Sequence, residues 1–380
     1  INQRKGFAMF RRRLFGHIVG WTVLIAAMFG GPANANIFEV RDVAVDVTAK
    51  TAAEARKVAL ADGGAIAFRQ LLQRLTLTED YARLPELASG DVAAYVSDFS
   101  ISDEKTSAVR YLAKLHFRFK PGEVRNLLRG AALLFAETPS KPVLVLPVFQ
   151  AASGLVLWED PNPWREAWNQ RDSVNGLVCL ALPLGDLADI NALKVQQAVR
   201  GDVAALSKLA ERYKAGDAVV AYARIGLDPV GSGARRIDIS MTRFNVQREP
   251  ETVFLAFGQE EGEEVIDLLV RGADAVANRL EDSWKRENLL VGGEAGIASV
   301  AVPIAGLRDW LNVQKRLKKV TVVLDLETVL MSLDEVRVNL HYVGTAAQLQ
   351  TALGQSDLAL VQEDNEWVLY PSGAAPETKQ

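Results

Sequence analysis

Pro142-Val143-Leu144-Val145-Leu146-Pro147-Val148-Phe149 is a run of eight residues with no polar side chain. A strand with one solvated face alternates apolar and polar residues, whereas a strand apolar throughout is covered on both faces. The run therefore predicts a central strand of an α/β layer. Two further runs of this kind follow, at 176–184 and at Ala218-Val219-Val220-Ala221-Tyr222-Ala223. Between them Leu206, Leu209, Ala210 and Tyr213 recur at three- and four-residue steps. They predict a helix starting near Asp202, with Gly216 as its stop. Polar-apolar strands at 236–245 and 252–259 and a helix over 263–287 complete a central α/β sandwich over 138–290.

Working outward, residues 36–137 read as an N-terminal β-α-β-β-α module of the α+β class. Val40, Val43, Val45 and Val47 mark the first strand. Thr51-Ala52-Ala53-Glu54 is a capping box, in which hydroxyl and carboxylate satisfy each other's amides. The helix after it carries Val58, Ala61, Ala65, Phe68, Leu72 and Leu75 as its predicted apolar face. Gly63 and Gly64 weaken it, so they predict a close backbone approach. Strands at 97–104 and 107–120 follow. The second lines one face with Val109, Tyr111, Ala113, Leu115, Phe117 and Phe119, and carries His116 on the other. A helix over 122–129 closes the module.

On the other side, residues 295–372 read β-α-β-β-α-β, the order of a ferredoxin-like plait. Strands are expected at 297–304, 320–330 and 336–343, and a helix at 307–317. Thr345-Ala346-Ala347-Gln348 is a second capping box. The last strand, or a hairpin, takes 358–362 and 367–370. The tail 373–380 is expected to be disordered.

The N-terminus has its own logic. Arg4, Lys5, Arg11, Arg12 and Arg13 precede an apolar stretch over 14–29, and no acidic residue occurs before Glu39. Gly30-Gly31-Pro32 then leads to Ala33-Asn34-Ala35, the small-x-small pattern of signal-peptidase cleavage. Residues 1–35 are therefore expected to be a secretory signal peptide, with cleavage set by Ala33 and Ala35, and the body to be periplasmic. The alternative is an inner-membrane anchor formed by 14–29. In either case the positive charges stay on the cytoplasmic side. Membrane contact is expected only through this segment, and only if it stays uncut.

The chain holds 43 basic and 47 acidic residues, and five of the basic ones lie in the first thirteen positions. The body is thus acidic, which disfavours nucleic acid, since phosphate binding needs concentrated positive charge. The single cysteine, Cys179, rules out a disulfide within the chain and is expected to be buried as a small hydrophobe. After residue 35 only His116 and His341 remain, with no partner at metal-ligand spacing. No phosphate loop and no G-x-S-x-G elbow is present; Gly231-Ser232-Gly233 reads as a hairpin turn. No metal, cofactor or catalytic residue is assigned.

Two segments are candidate ligand sites. In 158–168, Trp158, Trp164 and Trp168 lie close to Glu159 and Asp160. Indoles can stack on sugar rings while carboxylates bind hydroxyls or act as acid and base. The competing reading is structural: Asp160-Pro161-Asn162-Pro163 is a turn, and Asn162 caps a helix with proline at its first position. Asp186 and Asp189 follow a strand end, where ligands gather in α/β sheets, or they cap a helix.

Leu157-Trp158-Glu159-Asp160-Pro161-Asn162-Pro163-Trp164, Pro183-Leu184-Gly185-Asp186-Leu187-Ala188-Asp189 and Leu340-His341-Tyr342-Val343-Gly344 are also phrases of a family. With the 40–75 opening they resemble the proteobacterial family catalogued as domain of unknown function 2066. The resemblance implies an envelope location and no activity. The expected function is a non-enzymatic binding or scaffolding factor of the cell envelope, with an envelope protein as partner and the C-terminal module as docking surface. The alternative is a cell-wall glycan-binding protein or hydrolase using 158–168.

Overall fold

The computed structural model describes residues 36–171, 176–228, 234–245, 248–290, 295–363, 366–372 and 374. The signal segment with Ala33 and Ala35, the 231–233 turn and nearly all of the 373–380 tail lie outside the described residues. The class is mixed α and β, with three sheets.

The first sheet has the order β1-β3-β2, all antiparallel, from β1 (Glu39–Thr48), β2 (Val96–Thr106) and β3 (Arg110–Phe119). Tyr111, Ala113, Leu115, Phe117 and Phe119 bury the face that meets α1 (Ala52–Leu75); Val109 lies before the strand and is exposed. The second half of α1 buries the expected Phe68, Leu72 and Leu75, but its first half is turned from the expected face. Ala55, Ala59, Gly63, Ala67, Phe68, Leu71 and Leu75 face inward, while Val58 and Ile66 are exposed. Size explains the rotation. A Cβ on Gly63 would sit 2.5 Å from Leu115 Cδ1 and 2.9 Å from Val45 Cγ1, so the small-residue face is the one that can approach the sheet. Short 3-10 turns at Thr78–Arg83 and Asp91–Ala94 lead to β2. Helix α2 (Pro121–Gly130) follows β3.

The central sheet has the order β5-β4-β7-β8-β9, with β6 also paired to β4. Its strands are β4 (Val143–Ala151), β5 (Gly154–Val156), β6 (Leu180–Ala181), β7 (Asp217–Leu227), β8 (Arg235–Asn245) and β9 (Arg248–Gly258). The apolar run forms β4, parallel to β7. Its side chains divide as a doubly covered strand requires. Val143, Val145 and Phe149 join the core under α3 (Pro163–Gln170) and α7 (Val265–Glu287); Leu144, Leu146 and Val148 join a second core under α5 (Val195–Arg200) and α6 (Val203–Arg212).

The run at 176–184 is not a strand. Only Leu180 and Ala181 pair with β4, and α4 (Leu187–Ala192) begins soon after. In consequence Leu177 and Val178 are buried but Cys179 is exposed, contrary to expectation. The pattern could not distinguish a strand from an irregular chain anchored by Leu177, Val178 and Pro183. Helix α6 also stops earlier than Gly216, at Tyr213, and Lys214 takes the left-handed φ of 53°.

The third sheet has the order β11-β12-β10-β14-β13. It contains β10 (Ala295–Pro303), β11 (Val323–Met331), β12 (Glu335–Val343), β13 (Leu358–Glu363) and β14 (Glu366–Pro371), with helices α8 (Leu307–Leu317) and α9 (Ala346–Gln355). A four-stranded plait would set its last strand beside the first. Here β13 lies at the edge, and β14 folds back between β13 and β10, parallel to β10.

Residues 36–380 form one compact unit. One apolar core runs through all three sheets, and Glu137 and Leu290, at the expected module boundaries, are both buried. Polar groups tie these seams. Arg125 grips Glu137 at 2.8 and 2.7 Å, and Thr321 Oγ1 donates to the Glu137 carbonyl at 2.6 Å. The buried Lys285 of α7 donates to the carbonyls of Gln73 and Thr76. Among the described residues no helix is long and apolar enough to cross a membrane.

Candidate functional site

The tryptophan segment is built around Asn162. Its Oδ1 accepts from the Arg165 amide at 3.0 Å and so caps α3. Its Nδ2 donates to the carbonyls of Pro147 and Leu157. Pro147 lies in the middle of β4, where only β7 pairs with the strand, so a proline is tolerated there. The three indoles separate to the two faces of the sheet. Trp158 packs on the α6 side and donates Nε1–H to the Leu193 carbonyl at 2.8 Å. Trp164 and Trp168 pack edge to face under α7, and Trp164 donates to the Ala221 carbonyl. All three are buried. Trp168 Nε1 has no hydrogen-bond partner among the described residues. Glu159 turns back on its own loop and accepts from the amides of Leu157 and Trp158; its own amide first, with these two, holds its carboxyl below the usual range. Asp160 is exposed and pairs with Arg165 at 2.6 Å. Thus no stacking face and no carboxylate pair projects from this segment.

Asp186 and Asp189 form a clamp. Asp186 caps α4 through the Asp189 amide and takes a bidentate grip from Arg212 at 2.8 and 2.6 Å. The Arg212 guanidinium, with that amide, holds the Asp186 carboxyl far below the usual carboxylate range. Asp189 is fully buried and accepts from the Gly185 amide, the Tyr213 hydroxyl and Arg212. Burial, then the Asp189 carboxylate, pushes the Tyr213 phenol up to about 12. The two candidate segments do meet: a Cβ on Gly185 would be 3.1 Å from Arg165 Nη1 and 3.6 Å from Trp158. The 183–189 loop thus lies directly against the segment.

His116 is likewise satisfied, accepting from the Asp42 amide at Nδ1 and facing Ser102 Oγ at 2.8 Å through Nε2. Among the described residues no group of His, Cys, Asp and Glu side chains could hold a metal ion.

The site that the sequence did not reveal lies in the third sheet. Strand β10 pairs with β12 without a break from Ala295 to Pro303. On its other side only Val300 and Ala301 pair, because β14 begins at Glu366. Residues 295–299 therefore present an edge with no strand beside it among the described residues. A cavity of about 330 Å³ opens there, lined on the helix side by Tyr342, Ala346, Leu349, Leu360 and Trp367. On the open side of the sheet, Arg337 and Glu366 pair at 3.4 Å. Gly296 shapes the opening. It lies opposite Tyr342, and a Cβ there would come within 2.7–2.9 Å of the phenol, so its absence lets the ring lie across β10. No local pattern marks this site, because it depends on where β14 inserts. The signals that were present are the weakly polar Ala-Gly-Ile-Ala-Ser run at 295–299 and the Trp367 hairpin.

A family model described as a domain of unknown function (DUF8605) matches residues 37–137. This replaces the resemblance to domain of unknown function 2066. Most of the phrases behind that resemblance lie outside 37–137, and the structure uses them as caps, clamps and core contacts, which general packing demands. No curated protein and no solved structure matches the chain. The chain is thus similar, over 37–137, to a domain whose function is unknown.

Proposed function

We propose that this chain is an exported cell-envelope protein of periplasmic location, a binding or scaffolding factor that captures a partner protein on its C-terminal sheet. We also read the three sheets as three modules that keep separate surfaces over a shared core. The observation that carries the reading is the concentration of uncovered apolar surface on the third sheet. Leu324, Val329, Leu330 and Met331 on β11, Leu333 in the turn after it and Ile297 on β10 are all exposed, Leu333 at 93 %. Exposed apolar residues gathered in one place mark interaction surfaces more often than chance, and sheet edges take extended partners. The chemistry-bearing groups elsewhere are engaged in caps and clamps, which supports binding over catalysis.

The test uses the whole chain, since 295–372 shares its core with the rest and its removal would expose that core. The protein and an Ile297→Lys/Val329→Lys variant are crosslinked in living cells and fractionated. A reproducible envelope partner lost in the variant is expected, with the protein in the periplasmic fraction. No reproducible partner, or a cytoplasmic location, would overturn the reading.

A further inference from the structure

We infer that the β10 edge at 295–299 receives an extended, uncharged segment of a partner protein as an added strand, with one large apolar side chain seated between Tyr342 and Trp367. This rests on the binding function proposed above and names its site and its ligand class.

The edges of the three sheets are not alike. An exposed edge invites pairing, and proteins blunt it with charge, proline, bulges or shortness. Strand β2 is bulged twice and carries Asp98, Asp103 and Glu104. Strand β1 is bulged after Val40 and carries Asp42 and Asp46. Strand β9 has Glu249, Pro250 and Glu251, and β5 is three residues long. Strand β11 is bulged twice and carries Asp325 and Glu327. Strand β13 is six residues long and ends in Glu363. By contrast, residues 295–299 hold no charge and no proline, and their register against β12 is unbroken. Uncharged, proline-free stretches also occur on the β9 edge at 252–258 and on the β13 edge at 358–362; what distinguishes 295–299 is the cavity that opens beside its free side.

What covers such an edge follows from its size and charge. Five residues span about 17 Å and one strand spacing is about 4.8 Å. The footprint is on the order of 100 Å², far under the roughly 800 Å² per partner of a stable interface. A second copy meeting only this edge would be held by that footprint alone, whereas an extended segment also buries a side chain in the cavity. Arg337 is already paired with Glu335 at 2.6 Å and Glu366 at 3.4 Å, and the helix-side lining of the cavity carries no charge, so the slot suits an uncharged segment. The cavity lies on the helix face, so alternate residues of an added strand would point into it and the others toward Ile297, which is 64 % exposed. Main-chain hydrogen bonds would supply affinity, and the Tyr342–Trp367 cavity the side-chain preference.

The experiment places a photoreactive p-benzoylphenylalanine at Ile297 of the full-length protein, irradiates living cells and maps the crosslinked peptide by mass spectrometry. The expected adduct is a stretch of another protein with five or more consecutive uncharged residues, including a large apolar one. A synthetic peptide of that stretch should bind the purified protein by fluorescence anisotropy. Its affinity should fall at least tenfold with Trp367→Ala and with Ile297→Lys, which is exposed and cannot unfold the sheet, and should not change with Val329→Lys on β11. An adduct to a second copy, or to a charged stretch, overturns the inference. So does capture of a partner by general crosslinking with no adduct at position 297, in which case the binding function stands. Absence of any partner by either method overturns both.

Discussion

Replacing Asp189 by alanine should unfold the 183–189 loop from the protein before anything else fails. The carboxylate is fully buried and accepts from the Gly185 amide at 2.9 Å, the Tyr213 hydroxyl at 2.6 Å and Arg212. Alanine removes these acceptors together. Arg212 keeps its two bonds to Asp186, so its loss is partial. Tyr213 still accepts from the Leu184 amide, but its own proton has no acceptor, and the Gly185 amide has none either. A buried donor left unmet costs about 1–3 kcal/mol; these two belong to half-buried residues, so the expected loss lies near the low end, about 2 kcal/mol. Urea unfolding followed by tryptophan fluorescence measures it, because Trp158 packs against this loop. The midpoint should fall with little change in slope. Asp189→Asn keeps one acceptor oxygen and should lose less. A loss under about 0.5 kcal/mol for alanine would refute the clamp, since it would mean that solvent reaches these donors at little cost.

Three further outcomes follow from the geometry. Gly63→Ala should destabilise by about 1–3 kcal/mol through overpacking against Leu115 and Val45. By contrast, Gly64→Ala, whose Cβ would meet nothing nearer than 3.7 Å, should stabilise by about 0.5–1 kcal/mol; chemical denaturation of both variants checks the pair. The Asp186 carboxyl is held below its unfolded value by Arg212, so its contribution is present above the ordinary Asp pKa of about 3.9 and is lost as pH falls below it. Asp186→Asn should therefore flatten the acid limb of the stability curve, read as unfolding midpoints from pH 7 to pH 3. Lys285→Met should cost about 1–3 kcal/mol by leaving the Gln73 and Thr76 carbonyls without its ammonium, visible as a lower thermal midpoint.

The sequence was most legible where local chemistry decides structure. Apolar continuity placed β4, Thr51, Asn162 and Thr345 cap the helices that their spacing implied, and α8 runs over the expected residues. It was least legible where neighbours decide. The 176–184 run is apolar because Leu177, Val178 and Pro183 are buried and Leu180 and Leu182 pack against the core, and nothing in its composition says that two residues alone will pair. The inward face of α1 follows Phe68, Leu71, Leu72 and Leu75 in its second half, but in its first half Ala55, Ala59 and Gly63 face the sheet while Val58 is exposed, since distance to the sheet there outweighed hydrophobicity. The indoles of 158–168 fill both faces of the central sheet, a division visible only when β4 is in place. The β10 edge is hidden for the same reason: strand order is a property of the assembled sheet, and Trp367 reaches β10 only because β14 folds inside β13.

Amide hydrogen exchange over 295–300 tests the central claim most directly, measured on the purified protein and on the complex captured from cells. The β10 amides that face the slot should exchange quickly in the free protein, while those bonded to β12 stay protected, and the fast set should become protected in the complex. Protection that appears instead along β11 or in the 158–168 segment, with 295–300 unchanged, would contradict it.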